Sequence, residues 1–108
     1  DKLSASLYQR SGDVGLGVPF NIASYSFLIH LLAYHCNLEA YEFIYYLGNT
    51  HIYDDHLTVL KDQSIRIPYE FPLIQILNKY ENINDYKIED FKVTNYKSHE
   101  TIKMEMRK

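Results

Sequence analysis

Three small groups of residues in this chain are equipped for chemistry: Arg10-Ser11-Gly12-Asp13, the single Asn21, and the pair His51 and Tyr53. The Arg10 guanidinium is a planar fork of donors suited to phosphate, and the Ser11 hydroxyl adds another donor. An Arg at a strand end can equally sit in a surface ion pair. Asp13 is either an acid that meets a ligand or a turn former. Gly12, Gly15 and Gly17 let the backbone take unusual dihedrals and let a ligand approach the main chain. Asn21 places an amide in the first turn of a very apolar helix, where it must find partners. It is a cap or core-network residue, or it reads a ligand edge, because its amide sets a donor beside an acceptor. His51 and Tyr53 lie two apart in a strand-like stretch, so both point to one face. They are an ordinary inward pair or a pair of ligand contacts.

Other chemistries do not fit. No Gly-Lys-Ser/Thr follows the glycines, so this is not the phosphate loop of nucleotide hydrolases. The spacing Gly12-x-x-Gly15-x-Gly17 is not the dinucleotide pattern. His30 and His35 are five apart, as are His51 and His56, and that interval does not converge on one helical face, so no metal site is expected. The single cysteine, Cys36, ends an apolar helix in His35-Cys36-Asn37 and reads as a buried structural thiol.

The elements that must position these residues follow from patterning. Leu3, Ala5 and Leu7 alternate with Ser4, Ser6 and Tyr8, a strand over residues 2–10. Residues 11–18 read as a loop. Pro19 suits the first turn of a helix that runs to about Cys36. That helix is apolar on most faces, hence central and buried, with Asn37 as its C-terminal cap. Residues 42–47 are β-branched and aromatic, a strand continuing to Tyr53. Residues 54–63 read as a second helix, with Asp54 or Asp55 as N-cap and Leu57 and Leu60 facing inward. Pro68 and Pro72 mark a turn, 73–77 a short strand, 78–90 a polar, turn-rich stretch, and 91–96 a strand. The tail, 101–106, is mixed and suits an extended course. Strand and helix alternation gives the α/β (α+β) class.

A chain of 108 residues has room for one domain. It opens on Asp1 rather than Met, so it reads as a piece of something longer. The net charge of −3 gives no reason to expect a nucleic-acid or membrane partner. One cysteine and no visible signal peptide point to a reducing, cytoplasmic compartment. The run from Phe20 to Cys36 is broken by Asn21, Ser24, Ser26, His30 and His35 and falls short of a membrane span. Eleven tyrosines and no tryptophan carry no functional reading.

The run YQRSGDVGLGVPFNIAS, from Tyr8 to Ser24, resembles the phosphate-and-pyrimidine segment of thymidylate synthases. Three further segments agree in order and spacing: Gly48-Asn49-Thr50-His51-Ile52-Tyr53, Arg66-Ile67-Pro68-Tyr69-Glu70-Phe71-Pro72 and Thr101-Ile102-Lys103-Met104-Glu105-Met106. The likeness covers residues 1–108, as the C-terminal part of that longer family. It implies the thymidylate synthase fold, a mixed β-sheet packed on a long buried central helix. It implies reductive methylation of deoxyuridylate (dUMP) to dTMP, with 5,10-methylenetetrahydrofolate as co-substrate and no metal. By the same resemblance Arg10 and Ser11 contact the 5′-phosphate. Backbone N–H groups of Gly12 and Asp13 face the nucleotide, Asn21 reads uracil N3–H and O4, and His51 and Tyr53 contact the 3′-hydroxyl across from the Arg10–Asp13 loop. Asp13, Leu16, Gly17 and Phe20 line the folate side. The family's nucleophilic Cys-His pair is expected upstream, so no catalytic residue is assigned here and this segment alone is expected to be inactive. The resemblance also implies a homodimer joined through a sheet face that includes the first strand, and the Arg66–Phe71 turn is similar to that of bifunctional reductase–synthases.

The chain departs from the family pattern at Asn49, where many members have Asp, and at Lys97-Ser98-His99-Glu100, usually a proline-containing turn. It ends in Arg107-Lys108, where the family has two small apolar residues in a tail that closes over folate. Two other readings stand beside the synthase: a non-catalytic nucleotide-binding remnant, and a pyrimidine-nucleotide hydroxymethylase. Asn21 argues against the second, whose members carry Asp there.

Overall fold

A computed structural model describes residues 1–107. The chain forms β1 (Lys2–Asp13), α1 (Val18–His35), β2 (Glu39–His51), α2 (Leu57–Ser64), β3 (Leu73–Ile76) and β4 (Phe91–Thr94). Short 3₁₀ turns lie at Asp54–His56, Ile83–Asp85 and Ile88–Asp90. β1 and β2 pair in parallel, with α1 as the crossover that a parallel pair requires. β3 and β4 form a second, antiparallel pair. α1 contacts β1 and β2 on one side and β3 on another. This is the mixed α/β fold expected, with the long helix between two small sheets.

Position between two sheets explains why α1 is apolar nearly all round. Along β1–β2, Leu3, Ala5, Leu7 and Phe43 form the more covered face. On the far side, Phe27 meets Phe91 edge-on at 4.7 Å, and the His35 Nδ1 lies 3.2 Å from the Tyr86 hydroxyl. The many tyrosines serve here: Tyr80, Tyr86 and Phe91 stitch the second sheet to the end of α1. Only Ile29 and Ala33 of α1 are fully buried within this chain, however, so the helix is central but much of its surface is open. No helix among the described residues is long and apolar enough to cross a membrane.

Both ends of α1 obey local rules. Pro19 occupies the first turn. At the other end Asn37 takes a positive φ of 57°, while Leu38 N–H donates to Ala33 O at 2.8 Å and Asn37 N–H to Tyr34 O at 3.3 Å, the paired bonds of a Schellman motif. Cys36 is the C-cap residue and is exposed, not buried as expected, because the cap lies beyond the covered stripe of the helix. β4 stops at Thr94 because Asn95 turns to φ 61°.

Three further expectations change. The segment 11–13 continues β1 instead of forming a loop, because Ser11, Gly12 and Asp13 pair with Asn49, Thr50 and His51. Leu57 is exposed while Leu60 is half-buried, and the fully buried residue of the second helical segment is His56. β2 ends at His51, so Tyr53 lies beyond the strand expected to include it and takes the N-cap position of the next turn in place of Asp54 or Asp55. The tail carries no ladder. It is held by side chains: the Arg66 Nη1 donates to Glu100 O at 2.9 Å, and His99 stacks on Tyr69 at 4.6 Å with its Nε2 2.8 Å from Ile67 O. The proline-free turn therefore has its own anchor.

Asp90 organises the β3–β4 connection. It is buried, and its carboxylate accepts from Lys87 N–H at 2.8 Å, Asn78 Nδ2 at 2.7 Å and Tyr80 hydroxyl at 2.9 Å. These donors, the Lys87 amide first and then the Asn78 amide, hold its pKa below the usual carboxylate value, while the Tyr80 hydroxyl is pushed up by its bond to Asp90. A lowered folded-state pKa stabilises above the unfolded value and is lost as pH falls through the folded one. The protection of the Lys87 amide, taken relative to its intrinsic exchange rate, should therefore fall as pH drops through the lowered folded-state pKa of Asp90. Asp90→Asn should exchange faster at neutral pH and lose that acid step.

Candidate functional site

The chemistry-bearing residues gather at one end of the β1–α1–β2 unit. Ser11, Gly12 and Asp13 close β1, Asn49 and His51 close β2, and Gly17 and Asn21 open α1. Parallel strands run side by side, so their carboxyl ends and the helix start meet at one rim. Register places Asp13 beside His51, adjacent to it instead of across from it.

The turn is tightly tied. Gly17 N–H donates to Asp13 O at 2.9 Å, Asn21 N–H to Gly17 O at 3.0 Å, and Gly15 N–H to Asp13 Oδ1 at 3.1 Å. A Cβ at Gly17 would lie 3.1 Å from Asp13 O and 3.7 Å from Asn21 Oδ1, so glycine lets the helix start close on the strand end. Val14 N–H donates to His51 O at 3.0 Å. Alternation along the ladder then turns the Gly12 N–H towards β2 and leaves the Asp13 N–H on the outer edge of β1.

Asn21 is oriented by a residue that sequence reading passed over. Gln9, one turn of the pleat before Ser11, donates through Nε2 to Asn21 Oδ1 at 3.1 Å and to Ser11 O at 2.8 Å. Tyr45 in turn donates to Gln9 Oε1. The Ser11 carbonyl only accepts, so it fixes the Gln9 Nε2, and Gln9 in turn assigns the Asn21 oxygen: a flipped Asn21 amide would set two N–H groups against each other. The Asn21 Nδ2 makes no hydrogen bond among the described residues. The available signal was the period of β1, which puts Gln9, Ser11 and Asp13 on one face.

His51 and Tyr53 are neighbours, their rings 5.4 Å apart and nearly perpendicular. His51 Nδ1 sits 3.3 Å from both Asn49 O and Asn49 Oδ1. Asn49, where many family members carry Asp, thus touches the ring. Arg10 is exposed and falls on the opposite face of β1 from Ser11 and Asp13. Phe20 is 72% exposed on the first turn of α1, and Leu16 is half-buried in the turn. Among the described residues no group of three or more His, Cys, Asp or Glu side chains gathers in a way that could hold a metal.

In open α/β units, ligands bind in the crevice outside the carboxyl ends of parallel strands, and this rim is built there. The class defined is thus a mixed α/β unit whose polar residues share one rim. The chain belongs to the thymidylate synthase family, whose description matches residues 1–108. It is 53% identical to the human thymidylate synthase and 50% identical to that of equine herpesvirus 2, each over 97% of this chain. It is 52% identical over 97% of this chain to the bifunctional dihydrofolate reductase-thymidylate synthase of Plasmodium berghei. The chain spans 34% of the human protein, 36% of the viral one and 18% of the bifunctional one.

Proposed function

We propose that the full-length protein carrying this chain methylates dUMP to dTMP, and that residues 1–108 supply the nucleotide-holding half of its site. The observation that carries this reading is the fixed Asn21 amide. With Oδ1 pinned by Gln9 and Nδ2 free, Asn21 can accept from a ring N–H and donate to the neighbouring carbonyl, the pattern of uracil N3 and O4. Ser11 takes the phosphate, and the exposed Arg10, on the other face of β1, would have to reach round the edge of the strand to join it. Asp13 meets the nucleotide through its N–H. His51 and Tyr53 take the 3′-hydroxyl.

The exposed Phe20 ring and the Asp13 carboxylate flank the same turn as Leu16 and Gly17, a flat apolar surface beside an acceptor. That pairing suits a pterin, so methylenetetrahydrofolate fits as co-substrate, supplying the one-carbon unit and the hydride. The residues here bind and orient, the proximity part of catalysis. A cysteine nucleophile would come from outside these 108 residues. A homodimer, cytoplasmic as the composition suggests, completes the reading.

The test is tritium release from C5-labelled dUMP. The full-length protein should release it and the isolated chain should not. Release by the isolated chain that is lost with Cys36→Ala would place the nucleophile at Cys36 and overturn the assignment. His51→Ala or Tyr53→Phe in the full-length protein should raise KM for dUMP by up to about tenfold with little change in kcat, as each removes about one hydrogen bond. If a 3′-deoxy analogue of dUMP loses affinity by the same factor in these variants, the two residues do not hold the 3′-hydroxyl.

A further inference from the structure

His56 has the most completely buried side chain among the described residues, and its Nδ1 is their one buried polar side-chain atom without a partner. We propose that His56 is a positioning residue that ties the C-terminal segment to the turn between β1 and α1, so that the two shift together.

The geometry runs through the ring from side to side. On one side His56 Nε2 lies 2.7 Å from Glu105 O. A carbonyl only accepts, so Nε2 carries the proton and Nδ1 of the neutral ring is a bare acceptor. On the other side is Gly15. A Cβ there would come within 2.9 Å of His56 Nδ1 and 3.2 Å of Met104 Sδ. Turn, imidazole and tail are thus stacked with no room for one methyl group. The base of the ring is fixed as well, since His56 N–H donates to Tyr53 O at 2.9 Å and the Tyr53 ring stands edge-on 5.6 Å away.

Packing alone does not account for a histidine here. An orphaned buried acceptor is costly, and an apolar side chain of similar size would avoid the cost. What the imidazole adds is the bond to Glu105 O. The other holds on the tail, from Arg66 to Glu100 O and from His99 to Ile67 O, are exposed. The pair Arg107–Asp55 at 3.0 Å is partly exposed on both sides and adds little. The buried hold is the one that joins the tail to the turn.

The consequence for activity rests on the synthase reading, because the turn continues into Leu16 and Gly17 and the ring abuts Tyr53. The coupling itself is read without any ligand, so failure of that reading leaves the test intact. In the full-length protein, trypsin cleavage after Lys103 would follow the tail and hydrogen–deuterium exchange the turn at 14–17, with exchange of α1 at 29–33 as reference. His56→Phe should speed tail cleavage and turn exchange together, each about tenfold, the loss of one hydrogen bond, with α1 unchanged. His56→Gln, which keeps a donor, should return both most of the way. Gly15→Ala, pressing on the ring from the far side, should loosen the tail. A tail that loosens in His56→Phe while the turn keeps its rates overturns the coupling. If His56→Phe also loosens α1, Gly15→Ala decides: a faster tail supports the coupling and an unchanged one overturns it.

Discussion

Asn21→Asp in the full-length protein should erase or invert its preference for dUMP over deoxycytidylate, a change of about 10²-fold in the ratio of kcat/KM values. Cytosine offers an acceptor at N3 and a donor at N4, the reverse of uracil. Against the fixed amide, donor would meet donor and acceptor would meet acceptor. Each buried mismatch costs about 1–3 kcal/mol, and two of them give the stated factor. The amide cannot relieve this by turning over, because Gln9 Nε2 is bonded to Oδ1 and the acceptor-only Ser11 carbonyl fixes that Nε2 in turn. A protonated Asp can keep the Gln9 bond on one oxygen, donate from it to N3, and accept from N4 on the other. Gln9→Leu, which frees the amide, should narrow the preference of the native Asn21 in the same direction. The measurement is kcat/KM for both nucleotides with each protein. An unchanged ratio in Asn21→Asp means that Asn21 does not read the base.

Gly48→Ala should destabilise the protein by roughly 1–3 kcal/mol or more, the cost of an overpacked site that cannot relax. A Cβ at Gly48 would lie 2.6 Å from Arg10 O and 2.7 Å from the Tyr8 hydroxyl. The hydroxyl can move, but the carbonyl is main chain of β1 next to the segment that pairs Ser11 with Asn49. Relief therefore means prising β1 from β2 beneath Asp13 and His51. Tyr8→Phe combined with Gly48→Ala removes one clash and leaves the other, so the double variant should stay close to the single one. Thr58→Ala, on the exposed side of α2, should fall within about 0.5 kcal/mol of the wild type. Urea unfolding of the full-length protein reads all three. A wild-type midpoint for Gly48→Ala would show that the strands part there without cost. A lower nucleotide affinity in Gly48→Ala beyond its stability loss would mark the strand pairing as part of the site.

What the sequence determined by itself is local. The alternation of Leu3, Ala5 and Leu7 sets the strand, Pro19 and Asn37 bracket the helix, and the largely apolar character of 20–36 sets its central place, because each follows from steric preference or burial within one element. The motif residues and their family were legible too, since Arg10 to Asn21 and His51 to Tyr53 are short contiguous runs. Tertiary structure decided what depends on partners far along the chain. Glycine and Asp at 12 and 13 look like a loop until Thr50 and His51 supply ladder partners nearly forty residues away, and pairing then overrides local preference. Gln9 and Tyr45 carry no motif, and only the parallel register brings them to Asn21. His56 reads as a polar residue at a helix start, and the tail and the Gly15 turn bury it. Propensity is a property of neighbours in sequence, whereas burial and hydrogen-bond partners are set by neighbours in space.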